Sequence, residues 1–330
     1  GEYIETGPRN TLGIAYTNEA GESVINPPRP FAEDISAFPP PARDLLPNYK
    51  YFDPILRNPF SFIISGRGCP YPCTFCNWPE HLTGRVVRKR PVTDVVDELE
   101  HIQKTYRFRS VLFNDDTFTA DREHALSVAE EIKRRGLRLR WGCYMRADFD
   151  DESCLRAFRD AGCFLVKIGV ESADEAIQKN VKKNYDLDRV RRAVRKMKRH
   201  GFHVHATFAF GLPGETNATI EKTISFAREL NPTTVQFSIA VPYPGTEFYS
   251  YLKTEGYLLT ADWDDYMPLR PIYEYPHLSY ESMHAYLKEA YRRHYLHPQY
   301  VLIGLHQLVT QPRIFAGNLK KLIKLVFSHD

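Results

Sequence analysis

The sequence lacks several features that would assign it to a simple class. Its 330 residues contain no run of eighteen apolar residues, which argues against a membrane-spanning helix, and no secretory leader pattern. The net charge is also small. At +3 it does not predict a nucleic-acid partner. No cysteine precedes Cys69 and none follows Cys163, so neither a disulfide scaffold nor a second cysteine-rich metal group is expected. We therefore expect a globular protein of a reducing compartment, the cytoplasm.

What the sequence does have is three cysteines within eight residues. Cys69, Cys73 and Cys76 have the spacing C-x3-C-x2-C in "GRGCPYPCTFC", residues 66–76. Together with His81 they could form a closed zinc site, although zinc sites usually pair two C-x2-C units. A [4Fe–4S] cluster normally takes four cysteines, so three would leave one iron open for chemistry. Both interpretations are open at this point.

Six short apolar segments alternate with helical patterns from residue 61 onward. The predicted strands are 61–65, 110–115, 139–145, 164–171, 204–211 and 234–241. Thr93 and Thr216 are predicted to begin two of the intervening helices. Such β-then-α units predict an α/β fold, an open partial (β/α)6 TIM-like barrel with its site at the carboxyl ends of the strands. The predicted organisation is an N-terminal linker with a hairpin (1–60), a core barrel (61–260) and a C-terminal helical extension (261–330).

The cysteine loop resembles the signature of the radical SAM superfamily, which is C-x3-C-x-aromatic-C after the first strand of a partial (β/α)6 barrel. Cys69, Cys73 and Cys76 match the cysteines and Phe75 matches the aromatic residue. The resemblance implies that the three cysteines ligate a [4Fe–4S] cluster and that S-adenosylmethionine (SAM) occupies the open iron. It also implies that an electron from the cluster cleaves SAM to a 5′-deoxyadenosyl radical, which removes a hydrogen atom from the substrate.

Polar residues at other strand ends are candidates for holding SAM. In "FNDDTF", Asp115 or Asp116 could accept hydrogen bonds from the methionine ammonium, although an aspartate here could equally cap a helix. Glu171 and Ser172 match family positions that hold the ribose hydroxyls. Gly211, in "GLPGET", allows the backbone to approach a ligand closely.

The third predicted strand carries candidates for a direct role in catalysis. Arg146 could hold the carboxylate of SAM or of an acidic substrate. Cys143 and Tyr144 are adjacent and point to opposite faces of the strand, so one of them could enter the barrel and quench a radical. The usual burial of these residue types favours a packing role for both.

The segments around the barrel core resemble the branch of this superfamily whose members carry an upstream cobalamin-binding domain. The segments that carry this resemblance include "PPRPFAEDISAFPPPARDLLP", "FNDDTFT", "GLPGET" and "PTTVQFSIAVPYPGTEFY". The branch includes class B methyltransferases, anaerobic magnesium-protoporphyrin cyclases and radical enzymes of hopanoid synthesis, and the hopanoid type is the most similar. No cobalamin-binding domain lies within these 330 residues, so we expect residues 1–60 to follow one in a longer protein.

These features predict an enzyme that methylates or rearranges an unactivated carbon of a lipid, an isoprenoid or another small metabolite. Its cofactors would be the [4Fe–4S] cluster, SAM and cobalamin, and its electron donor a flavodoxin or ferredoxin. One alternative is a tRNA methylthiotransferase, which would need three further cysteines upstream. Another is a non-catalytic electron-transfer module, which would not explain the carboxylates at the strand ends.

Two basic segments allow different partners. The stretch "KKNYDLDRVRRAVRKMKRH" (182–200) fits an outer barrel helix with a solvated face better than a nucleic-acid surface. The amphipathic C-terminal segments "YESMHAYLKEAYRRHYL" and "NLKKLIKLVF" could contact an anionic membrane surface, although docking on the barrel is the favoured interpretation.

Overall fold

The computed structural model describes residues 7–53, 55–266 and 270–296. Its N-terminal part contains an antiparallel hairpin of β1 (Ala15–Thr17) and β2 (Ser23–Ile25), which confirms the predicted hairpin. In the proline-rich chain that follows, the described residues form only short 3-10 turns before the barrel begins. Proline lacks the backbone N–H that a longer helix or a central strand would use.

Six parallel strands form the main sheet, and a short antiparallel ribbon lies beside it. The strands are β3 (Phe60–Ile63), β4 (Gly66–Arg67), β5 (Arg88–Lys89), β6 (Ser110–Phe113), β7 (Arg140–Arg146), β8 (Cys163–Glu171), β9 (His203–Phe210) and β10 (Thr234–Ile239). The main sheet has the order β10-β9-β8-β7-β6-β3, and β4 pairs with β5 in the ribbon. Strands that are consecutive in the main sheet follow one another along the chain, as parallel β-α-β units require. This is the predicted partial (β/α)6 barrel.

Helices follow the strands of the main sheet. They are α1 (Val92–Thr105), α2 (Arg122–Arg134), α3 (Glu152–Asp160), α4 (Glu175–Asn180), α5 (Leu187–Arg199), α6 (Asn217–Leu230), α7 (Glu247–Thr254) and α8 (Tyr280–Tyr295). Thr216 begins α6 as predicted, in a reciprocal capping box with Thr219. The prediction for Thr93 is wrong, because α1 starts at Val92 with Pro91 as its N-cap and no side-chain cap.

The sheet separates two apolar layers of unequal size. The larger lies between the sheet and its helices and includes Phe113, Trp141 and Cys143. The smaller, formed by Leu56, Leu112 and Leu165, lies on the opposite face, which we call the inner face. Because side chains alternate along a strand, residues two apart from these leucines also belong to the inner face. That face is partly open, since Phe62 is 48% exposed.

A buried charged network attaches the N-terminal segment to the edge strand β3. Arg43 lies 2.6 Å from Glu98 and donates to the hydroxyl of Ser61 (2.8 Å) and the carbonyl of Phe62 (2.7 Å). Arg90 binds the second oxygen of Glu98. The guanidinium of Arg43 therefore satisfies polar groups that an edge strand would otherwise expose.

The C-terminal part that the structure describes packs on the barrel. Met283, Leu287 and Ala290 of α8 are buried, and the hydroxyl of Tyr291 donates to the carbonyl of Phe237 in β10 (3.0 Å). The favoured docking interpretation is therefore confirmed for this helix. The segment "NLKKLIKLVF" lies outside the described residues. Within those residues, no helix combines the length and apolar character that a membrane span requires.

Candidate functional site

The three cysteines lie on a loop that leaves the carboxyl end of β3. The loop is formed by close approach of two backbone segments, since Cys69 donates its N–H to the carbonyl of Gly84 (3.1 Å). Gly68 has a φ of +103°, and a Cβ at this position would overlap the carbonyl oxygen of Val86. Only glycine combines this backbone conformation with the absence of a side chain.

Two aspartates that follow β6 accept hydrogen bonds from the backbone of this loop. Asp115 accepts hydrogen bonds from the backbone N–H of Ser65 (2.7 Å) and from its hydroxyl, and Asp116 accepts one from the N–H of Gly68 (2.7 Å). Burial raises the pKa of Asp115 to about 6, an effect that the hydrogen bonds from Ser65 oppose. The helix-cap interpretation is wrong for both, because Thr117 is the N-cap of the 3-10 turn that follows and Asp121 is the N-cap of α2. Their contact with a SAM ammonium stays a prediction.

The thiols of the loop are half-buried and close enough to interact electrostatically. Burial is the main cause that raises the pKa of Cys73, and of Cys76 to about 11. Positive charge on Lys183 opposes this increase at both thiols. Cys69 Sγ lies 3.7 Å from Thr117 Oγ1. Within the described residues, no three His, Cys, Asp or Glu side chains already stand at metal-binding spacing.

Lys183 is the central charge of the site, and the sequence analysis missed it. Its ammonium lies 2.6 Å from a Glu171 carboxylate oxygen, 5.7 Å from the Phe75 ring centre and 5.3 Å from that of Tyr185. The carboxylate of Glu171 contributes most to the raised pKa of Lys183, against the opposing effect of burial. The solvated-face interpretation of 182–200 is therefore wrong at Lys183, which is 9% exposed. No helical pattern of apolar residues predicts this burial, because Lys183 lies in the segment between α4 and α5.

Arg146 joins the same group of residues from the end of β7. Its guanidinium stacks between the rings of Tyr71 (4.1 Å) and Tyr185 (4.4 Å) and pairs with Asp148 (3.0 Å). Tyr71 lies between Cys69 and Cys73 in the loop, so the sequence "CPYPC" carried a signal for this contact that was not used. The structure brings Arg146 beside the cysteine loop through Tyr71, and its binding of a carboxylate stays a prediction.

Glu171 adopts a backbone conformation that is uncommon for a residue with a side chain. Its φ is +65°, at a break in the pairing of β8 with β9. Backbone strain of this kind persists where the surrounding structure holds it, and it is frequent at functional sites. Ser172, the next residue, is fully buried, and its hydroxyl lies 3.3 Å from that of Thr223. The structure therefore brings Glu171, but not Ser172, to the side chains around the cysteine loop.

Three further predicted residues lie away from these side chains. Gly211 has a φ of +80°, and its carbonyl accepts hydrogen bonds from the hydroxyls of Tyr273 and Tyr275, both at 2.9 Å. Cys143 is fully buried in the layer between the sheet and the helices, which contradicts an entry of its thiol into the barrel. Tyr144, its neighbour, packs on the inner face.

The environment of His81 bears on the zinc alternative. Its Nε2 lies 2.7 Å from the carbonyl oxygen of Pro244, and its ring packs over Gly245. The Nε2 atom of His81 is therefore engaged by a backbone carbonyl, and the described residues show no preformed set of the three thiols with His81 at zinc-binding spacing. Three half-buried thiols with Lys183 and Arg146 beside them instead fit a group that is negatively charged when three thiolates bind it.

Comparison with protein families and with curated proteins gives consistent results. The model of the radical SAM superfamily matches residues 63–227. An uncharacterized methyltransferase of Pyrococcus horikoshii is 33% identical over 89% of this chain and 63% of its own length. The anaerobic magnesium-protoporphyrin IX monomethyl ester cyclase of Rubrivivax gelatinosus is 27% identical, over 96% of this chain and 56% of its own. The hopanoid C-2 methylase of Rhodopseudomonas palustris is 26% identical over 69% of this chain and 43% of its own length.

Two solved structures have a fold similar to that of this chain. One is the radical S-adenosylmethionine methyltransferase TsrM from Kitasatospora setae with cobalamin and a [4Fe–4S] cluster bound, at TM-score 0.56 and 25% identity, covering 59% of this chain and 39% of TsrM. The cobalamin-dependent S-adenosylmethionine radical enzyme OxsB matches 99% of this chain and 54% of its own, at TM-score 0.67 and 15% identity. This chain thus spans little more than half the length of the relatives that it matches most fully.

Proposed function

This chain belongs to the radical SAM superfamily, and from that premise we propose that it is the catalytic barrel of an enzyme that cleaves SAM reductively. Cys69, Cys73 and Cys76 would hold a [4Fe–4S] cluster. Bound there, the cluster supplies the electron that splits the sulfonium of SAM into methionine and a 5′-deoxyadenosyl radical.

The observation that carries the proposal is the set of residues around the cysteine loop. Asp115 and Asp116 accept hydrogen bonds from the loop and so fix its path over the carboxyl ends of the strands. Lys183 and Arg146 place two positive charges beside the thiols, which favours their thiolate form and offsets the negative charge of the ligands. Burial of the thiols excludes part of the surrounding water, which protects a reactive radical from side reactions.

The reaction that we propose is methyl transfer to a carbon of a small molecule, with cobalamin as an additional cofactor. The names of the relatives support it, since they include methyltransferases and a methylase, and TsrM has cobalamin bound at 25% identity to this chain. Rearrangement or cyclisation is the second candidate, and the magnesium-protoporphyrin cyclase, similar over 96% of this chain, favours it. A lipid or isoprenoid is the substrate class that the hopanoid methylase suggests.

The cellular setting is part of the proposal. We place the enzyme in the cytoplasm, since its six cysteines are unpaired and a low-potential cluster requires reducing conditions. A flavodoxin or ferredoxin would supply the electron, because the half-exposed loop lets an external one-electron donor approach the cluster. Peripheral membrane contact through the segment 318–327 would suit a lipid substrate.

Anaerobic reconstitution with iron and sulfide tests the proposal. Reduced wild-type protein should bind about four irons per chain and convert SAM to 5′-deoxyadenosine. Cys73→Ala should lose both properties. Cys154→Ala is the matched control, because it removes a buried thiol of α3 outside the loop and should keep both.

Four outcomes would contradict different parts of the proposal. Zinc in oxygen-free protein, or iron without 5′-deoxyadenosine, would remove SAM cleavage. Transfer of a labelled methyl group from SAM to a tRNA instead of a small molecule would remove the substrate class. Turnover that releases a rearranged product without the label would favour the cyclase candidate.

A further inference from the structure

The inner face of the sheet carries a row of polar side chains that the proposed cluster site does not use. Tyr144 of β7 pairs with Lys167 of β8, Lys167 pairs with His205 of β9, and His205 pairs with Thr234 of β10. These residues therefore form one continuous row across four strands. Lys167 lies two residues after Leu165 and faces the same way, with its ammonium 5.4 Å from the Tyr144 ring centre.

Lys167 has no anionic partner among the residues that the structure describes. No carboxylate of that set lies within 4.0 Å of its ammonium, and no hydrogen bond satisfies it there. Among the described residues, Asp53 is the one acidic group that acts on Lys167 from a greater distance, and its carboxylate already accepts the N–H groups of Ile55 (2.7 Å) and Leu56 (2.9 Å). A partly buried ammonium without a counterion is costly, and in native proteins such groups are usually paired.

The two histidines beside Lys167 add polar groups without adding charge. His203 Nε2 and His205 Nδ1 lie 3.0 and 2.9 Å from the hydroxyl of Thr234. Burial, and then the charge of Lys167, lowers the pKa of each ring to about 4. Both rings are therefore neutral at pH 7, and each can act as a hydrogen-bond donor or acceptor.

Further positive charge lies on the same face toward the start of the strands. The guanidinium groups of Arg57 and Arg140 stand 5.7 and 5.6 Å from the ring centre of Phe164. Neither forms an ion pair with a described residue, and the Nε of Arg140 is buried without a hydrogen-bond partner there. Three cations, Lys167, Arg57 and Arg140, thus face one partly open surface, and none of them forms an ion pair with a described residue.

We propose that the inner face binds an anionic group of the substrate, a carboxylate or a phosphate, through the ammonium of Lys167, with Tyr144 and His205 as neutral hydrogen-bond partners. Lys167 precedes Gly169 by two residues, about 7 Å along the strand, and Gly169 is level with Arg146 in the sheet. An anion at Lys167 would therefore lie beneath the cysteine loop, with the reacting carbon of the substrate between them. The assignment of this anion to a substrate rests on the proposed function.

NMR of 13C-dimethylated lysines in the intact, oxygen-free protein tests the anion site directly. The Lys167 resonance is assigned by its absence in Lys167→Met, and inorganic phosphate and acetate are titrated in separate arms. The resonance of Lys253, an exposed lysine of α7, is the internal control, with Lys253→Met as its matched variant. We expect Lys167 to shift saturably at anion concentrations at least tenfold below those that shift Lys253.

The two arms and a second assay separate the outcomes. A tighter response to phosphate supports a phosphorylated substrate, and a tighter response to acetate supports a carboxylic acid. A Lys167 response no steeper than that of Lys253 in both arms overturns the site. Formation of 5′-deoxyadenosine by the wild-type protein without substrate is the separate readout of the proposed function. Its absence from wild type would remove the proposed function, even if Lys167 still binds anions.

Discussion

The buried pair of Lys183 and Glu171 gives the sharpest prediction about this molecule. Lys183→Met keeps the length of the side chain but removes its charge, so the carboxylate of Glu171 would be left without a counterion. The side chains of this pair are only 10% and 12% exposed. The neighbouring residue Lys182 offers a matched control. It pairs with Glu247 at the same distance, 2.6 Å, but the side chains of this pair are 47% and 58% exposed.

Burial sets the expected magnitudes. Removing one partner of a buried pair leaves an uncompensated charge, which typically lowers the free energy of unfolding by about 3–5 kcal/mol. Breaking an exposed pair typically costs about 0.2–1 kcal/mol. The double variant Lys183→Met, Glu171→Gln removes both charges, so it should recover most of the stability lost by Lys183→Met.

Urea unfolding at pH 7, followed by circular dichroism, measures these differences in the protein without cluster. We expect the free energy of unfolding to decrease in the order wild type, Lys182→Met, double variant, Lys183→Met. Equal losses for Lys182→Met and Lys183→Met would refute the reasoning, since they would show that Lys183 is as well solvated as its neighbour. A double variant no more stable than Lys183→Met would instead show that the loss comes from packing.

Two further predictions concern glycine geometry and pH. Gly68→Ala should reduce iron loading severely and cost at least about 2 kcal/mol of stability, because its Cβ would overlap the Val86 carbonyl. Gly136→Ala, at φ +64° with open space around it, should bind iron as wild type does. Burial raises the pKa of Glu215 in the native state to about 8, whereas the ordinary pKa of a glutamate, which applies in the unfolded chain, is near 4.5. Between these two pH values the native state keeps a proton that the unfolded state has released. Stability should therefore fall from about pH 7 to pH 8 by up to about 1.4 kcal/mol per pH unit, measured by urea midpoints in a window above the pKa of about 6 of Asp115. This slope should be absent from Glu215→Gln, and a slope that persists there would assign it to another group.

The buried pair also shows where reasoning from the sequence stopped. Glu171 follows an apolar strand, and a glutamate at such a position predicts a site because it is rarely buried without a partner. Its partner Lys183 lies 12 residues later in a basic stretch, where surrounding lysines and arginines predict a solvated face. Lys182 fits that prediction and Lys183 does not, since which of two adjacent lysines turns inward depends on the path of the turn before α5.

The loop cysteines and the order of strands were accessible from the sequence alone. The spacing of Cys69, Cys73 and Cys76 is a local property, and short apolar segments alternating with helical patterns restrict a chain to few topologies. The directions of side chains within the barrel were less accessible. Cys143 and Tyr144 alternate in any strand, but their assignment to the helix layer and the inner face depends on the register between neighbouring strands.

The sequence by itself determined the fold class, the loop with its three thiols and the polar residues that end the strands, because each follows from composition and short-range spacing. Only the tertiary structure decided which charges meet. It placed Lys183 against Glu171 and Phe75, turned Asp115 and Asp116 toward the loop backbone, and left Lys167 on the inner face without a counterion among the residues that it describes. The physical reason is that burial and pairing depend on contacts between residues far apart in the chain, which no local pattern encodes.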